Sequence, residues 1–372
     1  MEQEIREYAL EIGFDNVGFT TAEPFTQLTE ALEERKEGYS WISDGLLQLA
    51  HVADPRNVLP SAKSVVVFIY DYHKQAYPKQ LTGSIGKAYQ SRLYPGKNRL
   101  FGSRLRLMRD FLEAKGMEVG YRPAMPERQA AVRAGVGSFG YNTFIHEPGR
   151  GSYIGIVAMA VSTELDPTTA VSETTCPDDC RRCIEACPTG ALYEPYKMNP
   201  LQCIAFNTYG TGNFPGAPED IPLEIRKKMG SWIYGCDQCQ DACPRNQKRL
   251  KQTLVPDAYL EEIAPKMDPK VLLTMDDNYF HNTVQQLLYG YIWEKKFLQR
   301  NAAIALGNSG DEGVINLLAA AMEDPEEIVR QYSAWALGSI GGRKSKNALE
   351  LKINSEQSEK VKAEIVSVLE LL

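Results

Sequence analysis

The apolar residues of this chain come in short, separated runs, and their rhythm changes along its length. Glu2 to Ile12 reads as an opening helix. Ser64-Val-Val-Val-Phe-Ile-Tyr70 is apolar and β-branched, which predicts a buried strand. Arg104 to Lys115 has an amphipathic helical pattern, stopped by Gly116. Glu118 to Arg122 predicts another strand, and Tyr153 to Ser162 a further one, closed by Asp166-Pro167. The first 165 residues therefore read as an α/β domain. Between two of these strands lies Arg133-Ala-Gly-Val-Gly-Ser-Phe-Gly-Tyr-Asn-Thr143. Its glycines would let the backbone approach a ligand closely, and they equally suit a tight helix-to-strand connection.

The last third repeats itself. Arg300-Asn-Ala-Ala-Ile-Ala-Leu-Gly307 returns as Gln331-Tyr-Ser-Ala-Trp-Ala-Leu-Gly338, and Val361-Lys-Ala-Glu-Ile opens a weaker third copy. Small residues at packing positions and glycine at the turn are the pattern of a HEAT-like helical solenoid. Such arrays bind macromolecules along a concave face, or simply cap a neighbouring domain. From Glu294 to Leu372 there are 12 acidic and 10 basic residues, a balance that does not favour nucleic acid.

Composition narrows the class. The 372 residues are 43% hydrophobic and 24% charged, as in an ordinary multi-domain protein with sizeable cores. A net charge of −7 argues against a general polyanion binder, although local basic patches remain possible. Two are visible: Arg226-Lys-Lys228, and Arg245, Lys248, Arg249 and Lys251. Both read as phosphate contacts or as solvated helix faces. The N-terminus has acidic residues where an export signal is basic, and no apolar run is long enough to span a bilayer. A cytoplasmic protein with no membrane partner is expected, and cysteines there are ligands or catalysts rather than disulfide partners.

All eight cysteines lie between Cys176 and Cys243. One group reads Cys176-Pro-Asp-Asp-Cys180-Arg-Arg-Cys183-Ile-Glu-Ala-Cys187-Pro188, another Cys236-Asp-Gln-Cys239-Gln-Asp-Ala-Cys243-Pro244, and Cys203 stands between them. A C-x2-C-x3-C-P run wraps one 4Fe–4S cubane and sends its last cysteine to the neighbouring one. Two such runs predict two clusters with crossed ligands. Cys176, Cys180, Cys183 and Cys243 would hold the first; Cys187, Cys203, Cys236 and Cys239 the second. The Cys176–Cys180 spacing is one residue longer than the pattern, and an insertion separates Cys203 from Cys236. Zinc sites and disulfides are the alternatives, but the x3-C-Pro extension is not a zinc habit. The module is expected over residues 166–250, with Gly210 to Gly216 as an exposed loop, and the helical domain over 251–372.

Taken together these segments resemble the epoxyqueuosine reductase family. Gly235-Cys-Asp-Gln-Cys-Gln-Asp-Ala-Cys-Pro-Arg-Asn246 is similar to its second cluster motif, and Ala134-Gly-Val-Gly-Ser-Phe-Gly-Tyr-Asn-Thr143 to its AGLGxxGKNT segment. Ala53-Asp-Pro-Arg-Asn-Val-Leu-Pro-Ser-Ala-Lys-Ser64, Cys187-Pro-Thr-Gly-Ala-Leu192 and the HEAT-like tail also match. The resemblance covers nearly the whole chain in the same order. It implies an α+β multi-domain protein: a corrinoid-binding domain over 1–165, a double-cluster ferredoxin-like module and a helical tail. It also implies a cobalamin beside one cluster, removal of the epoxide oxygen from a tRNA nucleoside in the last step to queuosine, and a low-potential electron donor such as flavodoxin or ferredoxin. The related reductive dehalogenases use the same cofactors on small organohalides. No D-x-H-x-x-G motif is present; Asp71-Tyr-His73 begins one, but Ala76 stands in the glycine's place. This agrees with a base-off cobalamin without a protein ligand to cobalt. Arg56, Ser138, Gly140 and Asn142 become the expected cofactor contacts.

The sequence departs from the family where substrate would be held. Tyr121, opening Tyr121-Arg-Pro-Ala-Met-Pro-Glu127-Arg128, takes the place of the aspartate regarded as proton donor, and Tyr141 that of the lysine in GKNT. The family's basic stretch with D-Y-H is not recognisable in Tyr94-Pro-Gly-Lys-Asn-Arg99. Tyr121 is therefore the expected catalytic proton donor, although an ordinary tyrosine is a weaker acid than a carboxyl group. Epoxyqueuosine in tRNA is the substrate that overall similarity favours. A small molecule, reduced by dehalogenation or a related reaction, is the substrate that Tyr121 and the acidic charge favour. A non-enzymatic two-cluster electron carrier is the reading from another class.

Overall fold

The computed structural model describes residues 1–42, 48–92, 99–121, 125–169, 176–288 and 290–372. The stretch Tyr94 to Lys97, the following Asn98, and Arg122 to Ala124 therefore lie outside the described residues. The N-terminal region runs through α1 (Glu2–Glu11), β1 (Asn16–Thr21), β2 (Ser64–Asp71), α2 (Leu100–Ala114), β3 (Val119–Gly120), α3 (Glu127–Arg133), the short strands β4 (Ser138–Phe139) and β5 (Ile145–His146), and β6 (Ile154–Val161).

Four of these strands form a sheet in the order β1-β2-β6-β3, every pair antiparallel. The central strand β2 is buried on both faces, which explains its unbroken apolar run. Its side chains alternate as the pleat requires. Val66 and Phe68 join Ile5 and Ala9 of α1 and Leu105, Met108 and Leu112 of α2 in one core. Val65, Val67 and Ile69 face α3 instead, with Ala130, Ala131 and Ala134. Alanines on α3, and Ala158 and Ala160 on β6, bring the helix down close to the sheet. At Gly18 a Cβ would lie 2.5 Å from Val136 Cγ1 and 2.7 Å from the Ala134 carbonyl, so only glycine fits beneath the end of α3.

The glycine segment is the tight connection that follows. Gly135 ends α3 with φ +66. Gly137 and Gly140 then pack under the facing strand, and a Cβ on Gly140 would meet the His146 ring at 2.7 Å.

The cysteine-rich module contains only short elements, among them α4 (Ile204–Tyr209), which starts directly after Cys203. The loop from Gly210 to Gly216 is not exposed throughout: Gly210 and Thr211 are buried beneath the tail. The C-terminal repeat becomes α5 (Lys295–Ser309), α6 (Glu327–Ile340) and α7 (Glu359–Leu369). The repeated glycines have one job. A Cβ on Gly307 would lie 2.7 Å from Ala336 Cα, and one on Gly338 would lie 2.5 Å from Val368 Cβ, so each glycine lets the next repeat's helix close in. One hydrophobic core runs from Leu81 and Ile85 through Ile204, Ile233 and Tyr234 to Leu298, Leu337 and Val368. The tail and the cluster module thus share a single interior.

In an open helix Gly→Ala stabilises by about 1 kcal/mol. At position 307 the overpacking cost of about 1–3 kcal/mol opposes it. Gly307→Ala is expected to lower the urea midpoint; a raised midpoint would contradict the close approach.

Candidate cluster and substrate centre

The fold brings cysteines of the two sequence motifs near one another. Burial raises the Cys183 thiol to about 11, and the next contributions come from Cys243, Cys176 and Cys180. Burial likewise raises Cys243, which feels Cys176 and Cys180 among its neighbours. In the other group burial raises Cys236 to about 12, and Cys203 and Cys187 add to it. Cys239 is raised by burial and then by Cys203, Cys236 and Cys187, with Cys183 of the other expected set adding to them. Within these thiols the long-range partners, Cys243 in one group and Cys187 in the other, cross between the two sequence motifs.

The donor set fits two cubanes. A 4Fe–4S cluster binds each thiolate at a different iron, so its four sulfurs stand around a volume, whereas a zinc ion draws them to about 2.3 Å from one point. Buried thiols of raised pKa become thiolates when the iron's positive charge is present to compensate them.

Polar anchors lock this module against the N-terminal sheet. Lys87 Nζ reaches Asp241 at 2.7 Å and Asp237 at 3.3 Å, on the turn between Cys236 and Cys243. Tyr153 also hydrogen-bonds Asp241. Asn246, fully buried, accepts from the Ser152 N–H and donates to the Gln240 carbonyl, at 2.9 and 2.8 Å. Arg249 donates to both Asp71 oxygens, at 2.9 and 2.8 Å, and to the His73 carbonyl at 2.7 Å. The basic groups are thus mixed rather than uniformly solvated. Arg249 is engaged in this pair and Arg226 in one with Glu364, while Lys227, Lys228, Lys248 and Lys251 are exposed.

The expected cofactor residues fall in different places. Arg56 is exposed and paired with Glu23 at 2.9 Å; the Asp54 carboxylate accepts its backbone N–H. Ser138, Gly140 and Asn142 lie together on the β4–β5 connection, facing the module. Arg245 donates to Ser138 Oγ at 3.1 Å, and Asn142 donates to the Cys239 carbonyl at 3.3 Å. His146 beside them is held neutral, pushed down to about 3 by burial and then by the Arg245 charge. Tyr141 is buried against Cys176, Cys183 and Leu192, so the residue in the lysine's place turns into the cluster module. His73 is enclosed against Tyr77 and Tyr153, and is not presented as a metal ligand.

Tyr121 emerges half-buried from β3 against the α1–α2 core. Burial pushes its hydroxyl well above the usual tyrosine range, and the Glu127 charge adds to this while Arg109 opposes it. Glu127 lines a cavity of about 160 Å³ with Arg128, Phe144, Ile145, Ser152, Ile154 and Ile156. The residue as a whole is partly exposed, but its carboxyl end is enclosed. Desolvation raises that carboxyl to about 8, against the opposing effects of Arg128 and of the Ala158 N–H it accepts from. The sequence reading named Glu127 only as part of the stretch that Tyr121 opens and gave it no role.

Residues 176–246 match the family model of a 4Fe-4S double cluster binding domain, and residues 294–370 match HEAT repeats. The epoxyqueuosine reductase of Bacillus subtilis is 31% identical over an alignment covering 100% of this chain and 96% of that protein. The Staphylococcus aureus enzyme is 30% identical, covering 96% and 94%. Among solved structures, an epoxyqueuosine reductase with an epoxyqueuosine-modified tRNA stem loop superposes with a TM-score of 0.82 at 30% identity, covering 100% of this chain and 98% of that one. The B. subtilis enzyme with its catalytic loop swung out of the active site gives 0.81, with the same identity and coverage. With every segment matched in order from one end to the other, the chain belongs to the epoxyqueuosine reductase family.

Proposed function

We propose that this protein is a cobalamin- and iron–sulfur-dependent reductase that removes the epoxide oxygen from epoxyqueuosine in tRNA. The observation that carries the reading is full-length correspondence with the family, in both sequence and fold. One relative binds an epoxyqueuosine-modified tRNA stem loop, which makes tRNA the leading partner.

Two 4Fe–4S clusters would be held by the two thiol groups, and would pass electrons one at a time from a low-potential donor such as flavodoxin or ferredoxin. Four-cysteine clusters reach the low potentials this requires. A base-off cobalamin, without a protein ligand to cobalt, fits a site in which both buried histidines, His73 and His146, are already enclosed. When bound it supplies a strongly reducing, nucleophilic metal. Ser138, Gly140 and Asn142 stand at the junction where it would meet the second cluster, and Phe144, Ile145, Ile154 and Ile156 provide the apolar wall. Arg56 would contact it only by leaving Glu23. Tyr121 serves substrate from the end of β3.

A second reading rests on Tyr121: a tyrosine in the aspartate's place suits reductive dehalogenation or a related reduction of a small molecule. The test is anaerobic purification, addition of cobalamin, and visible and electron paramagnetic resonance spectra. A protein-bound, base-off cob(II)alamin signal is expected beside the cluster signals. Clusters without cobalamin binding would leave a two-cluster electron carrier. Turnover of an epoxyqueuosine tRNA stem loop, set against a panel of organohalides, then separates the two substrates.

A further inference from the structure

The motif around Cys236 carries two acids that ligation does not use. Asp237 sits between Cys236 and Cys239, and Asp241 between Cys239 and Cys243. Both stand on backbone that would wrap a cluster, where a carboxylate opposes the arrival of an electron. Water screens such a charge when the acid is exposed. The Asp241 side chain is 40% exposed, but that of Asp237 only 5%, so Asp237 weighs more.

Its surroundings come from the N-terminal region. The Gly86 N–H donates to the Tyr234 carbonyl at 2.9 Å, and Ile85 forms a parallel bridge with Tyr234. Residues 85–90 are thereby laid along the start of the cluster motif. Glycine permits this approach: a Cβ on Gly86 would lie 3.2 Å from Asp237 Oδ1 and 3.4 Å from the Cys236 nitrogen. Lys87 follows. Its backbone N–H donates to Asp237 Oδ2 at 2.8 Å, and its Nζ reaches the same oxygen at 3.3 Å. The ammonium also stands 5.2 Å from the centroid of the Tyr153 ring. Buried Gln240, which donates to the Ser152 carbonyl at 2.9 Å, adds to the enclosure. Burial works against the charge on Lys87, but Asp237 and Asp241 outweigh it, so the ammonium holds its proton more firmly than an exposed lysine does. The Asp237 charge is felt in turn at the Cys236 thiol, after burial, the Gln238 N–H and Cys203.

We propose that the Asp237–Lys87 pair sets the reduction potential of the cluster that Cys236 and Cys239 help to hold, the carboxylate lowering it and the ammonium raising it. Neither residue ligates iron or touches substrate; both act through the cluster. Each reduction moves one electron from the low-potential donor to the cluster, which oxidises the donor and transfers no proton. Asp237 makes the reduced cluster the stronger reductant, and Lys87 keeps it within reach of its own donor. The inference rests on the cluster part of the reading above and is independent of the substrate.

The test uses the full chain with its clusters reconstituted and without cobalamin. Electron paramagnetic resonance is followed through a potentiometric titration at one pH, on the signal that Cys236→Ser removes. In Asp237→Asn the ratio of reduced to oxidised cluster at a fixed potential should rise roughly tenfold, which is about 59 mV for one electron. Lys87→Met should lower it by a similar factor, and Asp237→Asn combined with Lys87→Met should fall between the two. Lys87→Arg, which keeps the charge, should stay close to wild type. Asp241→Asn should raise the ratio less than Asp237→Asn does, because water already screens Asp241. Shifts of one sign in Asp237→Asn and Lys87→Met, which a merely structural role would give, overturn the proposal, and so do unmoved potentials. If Lys87→Met does not hold iron, the two aspartate variants decide: a rise in both supports the proposal, and no rise in Asp237→Asn overturns it. A wild-type chain that takes up no iron and sulfide overturns the cluster reading instead.

Discussion

Replacing Arg300 by methionine is expected to destabilise the protein by about 3 kcal/mol or more and to lower the cluster content of whatever folds. Arg300 is completely buried. Its guanidinium donates to the Thr211 carbonyl at 2.7 Å and the Asn207 carbonyl at 3.0 Å, and to the Asn301 side chain at 3.0 Å. Desolvation lowers it only to about 10, so it stays charged. The carbonyls belong to the end of α4 and the turn beyond it, where a cation is favourable and backbone acceptors lack helical partners. Methionine fills the volume and removes the cost of burying a charge, but leaves two or three buried carbonyls unpaired at roughly 1–3 kcal/mol each. The unpaired acceptors outweigh the relief. Urea unfolding with an unchanged slope and a lowered midpoint would measure it. A loss below about 1 kcal/mol would mean that Arg300 is not what closes the end of α4.

The other large effect concerns which cysteines act together. Cys243→Ser is expected to abolish the same cluster as Cys183→Ser, although Cys243 lies in the other motif. Cys187→Ser should abolish the cluster lost in Cys236→Ser and Cys239→Ser. Each should take iron from about eight to about four atoms per chain. Electron paramagnetic resonance of the reduced variants decides it. If Cys243→Ser instead removed the signal lost in Cys239→Ser, the ligands would not cross and the grouping would be wrong.

Much of this was legible in the sequence because particular residues have few other uses. The run from Ser64 to Tyr70 had to be a buried strand, and the structure extends it by one residue to Asp71. Tyr153 to Ser162 and Arg104 to Lys115 hold as the cores of β6 and α2, and the repeated segments become α5 and α6. Strand β1 went unread because Asn16-Val-Gly-Phe-Thr-Thr21 mixes glycine and threonine into six residues. Its glycine is dictated by α3, more than a hundred residues away. The strand expected from Glu118 to Arg122 is described only as Val119–Gly120. Arg226 and Arg249 looked like solvated charges, since the partners that bury them, Glu364 and Asp71, are remote in sequence. Arg300 and Gln331 occupy the same position in successive repeats, yet Gln331 pairs with Glu364 while Arg300 reaches into the cluster module. Periodicity located the repeat but could not show that its first copy is an interface.

The shared interior also sets an order of assembly. A chain is made from its amino end, so all eight cysteines leave the ribosome before α5 exists. The carbonyls of α4, which starts directly after Cys203, have no buried cation until Arg300 arrives, and Ile204 and Ile233 have no opposite wall until Leu298 and its neighbours are in place. The last third of the polypeptide is therefore the part that completes the interior against which Ile204 and Cys236 pack.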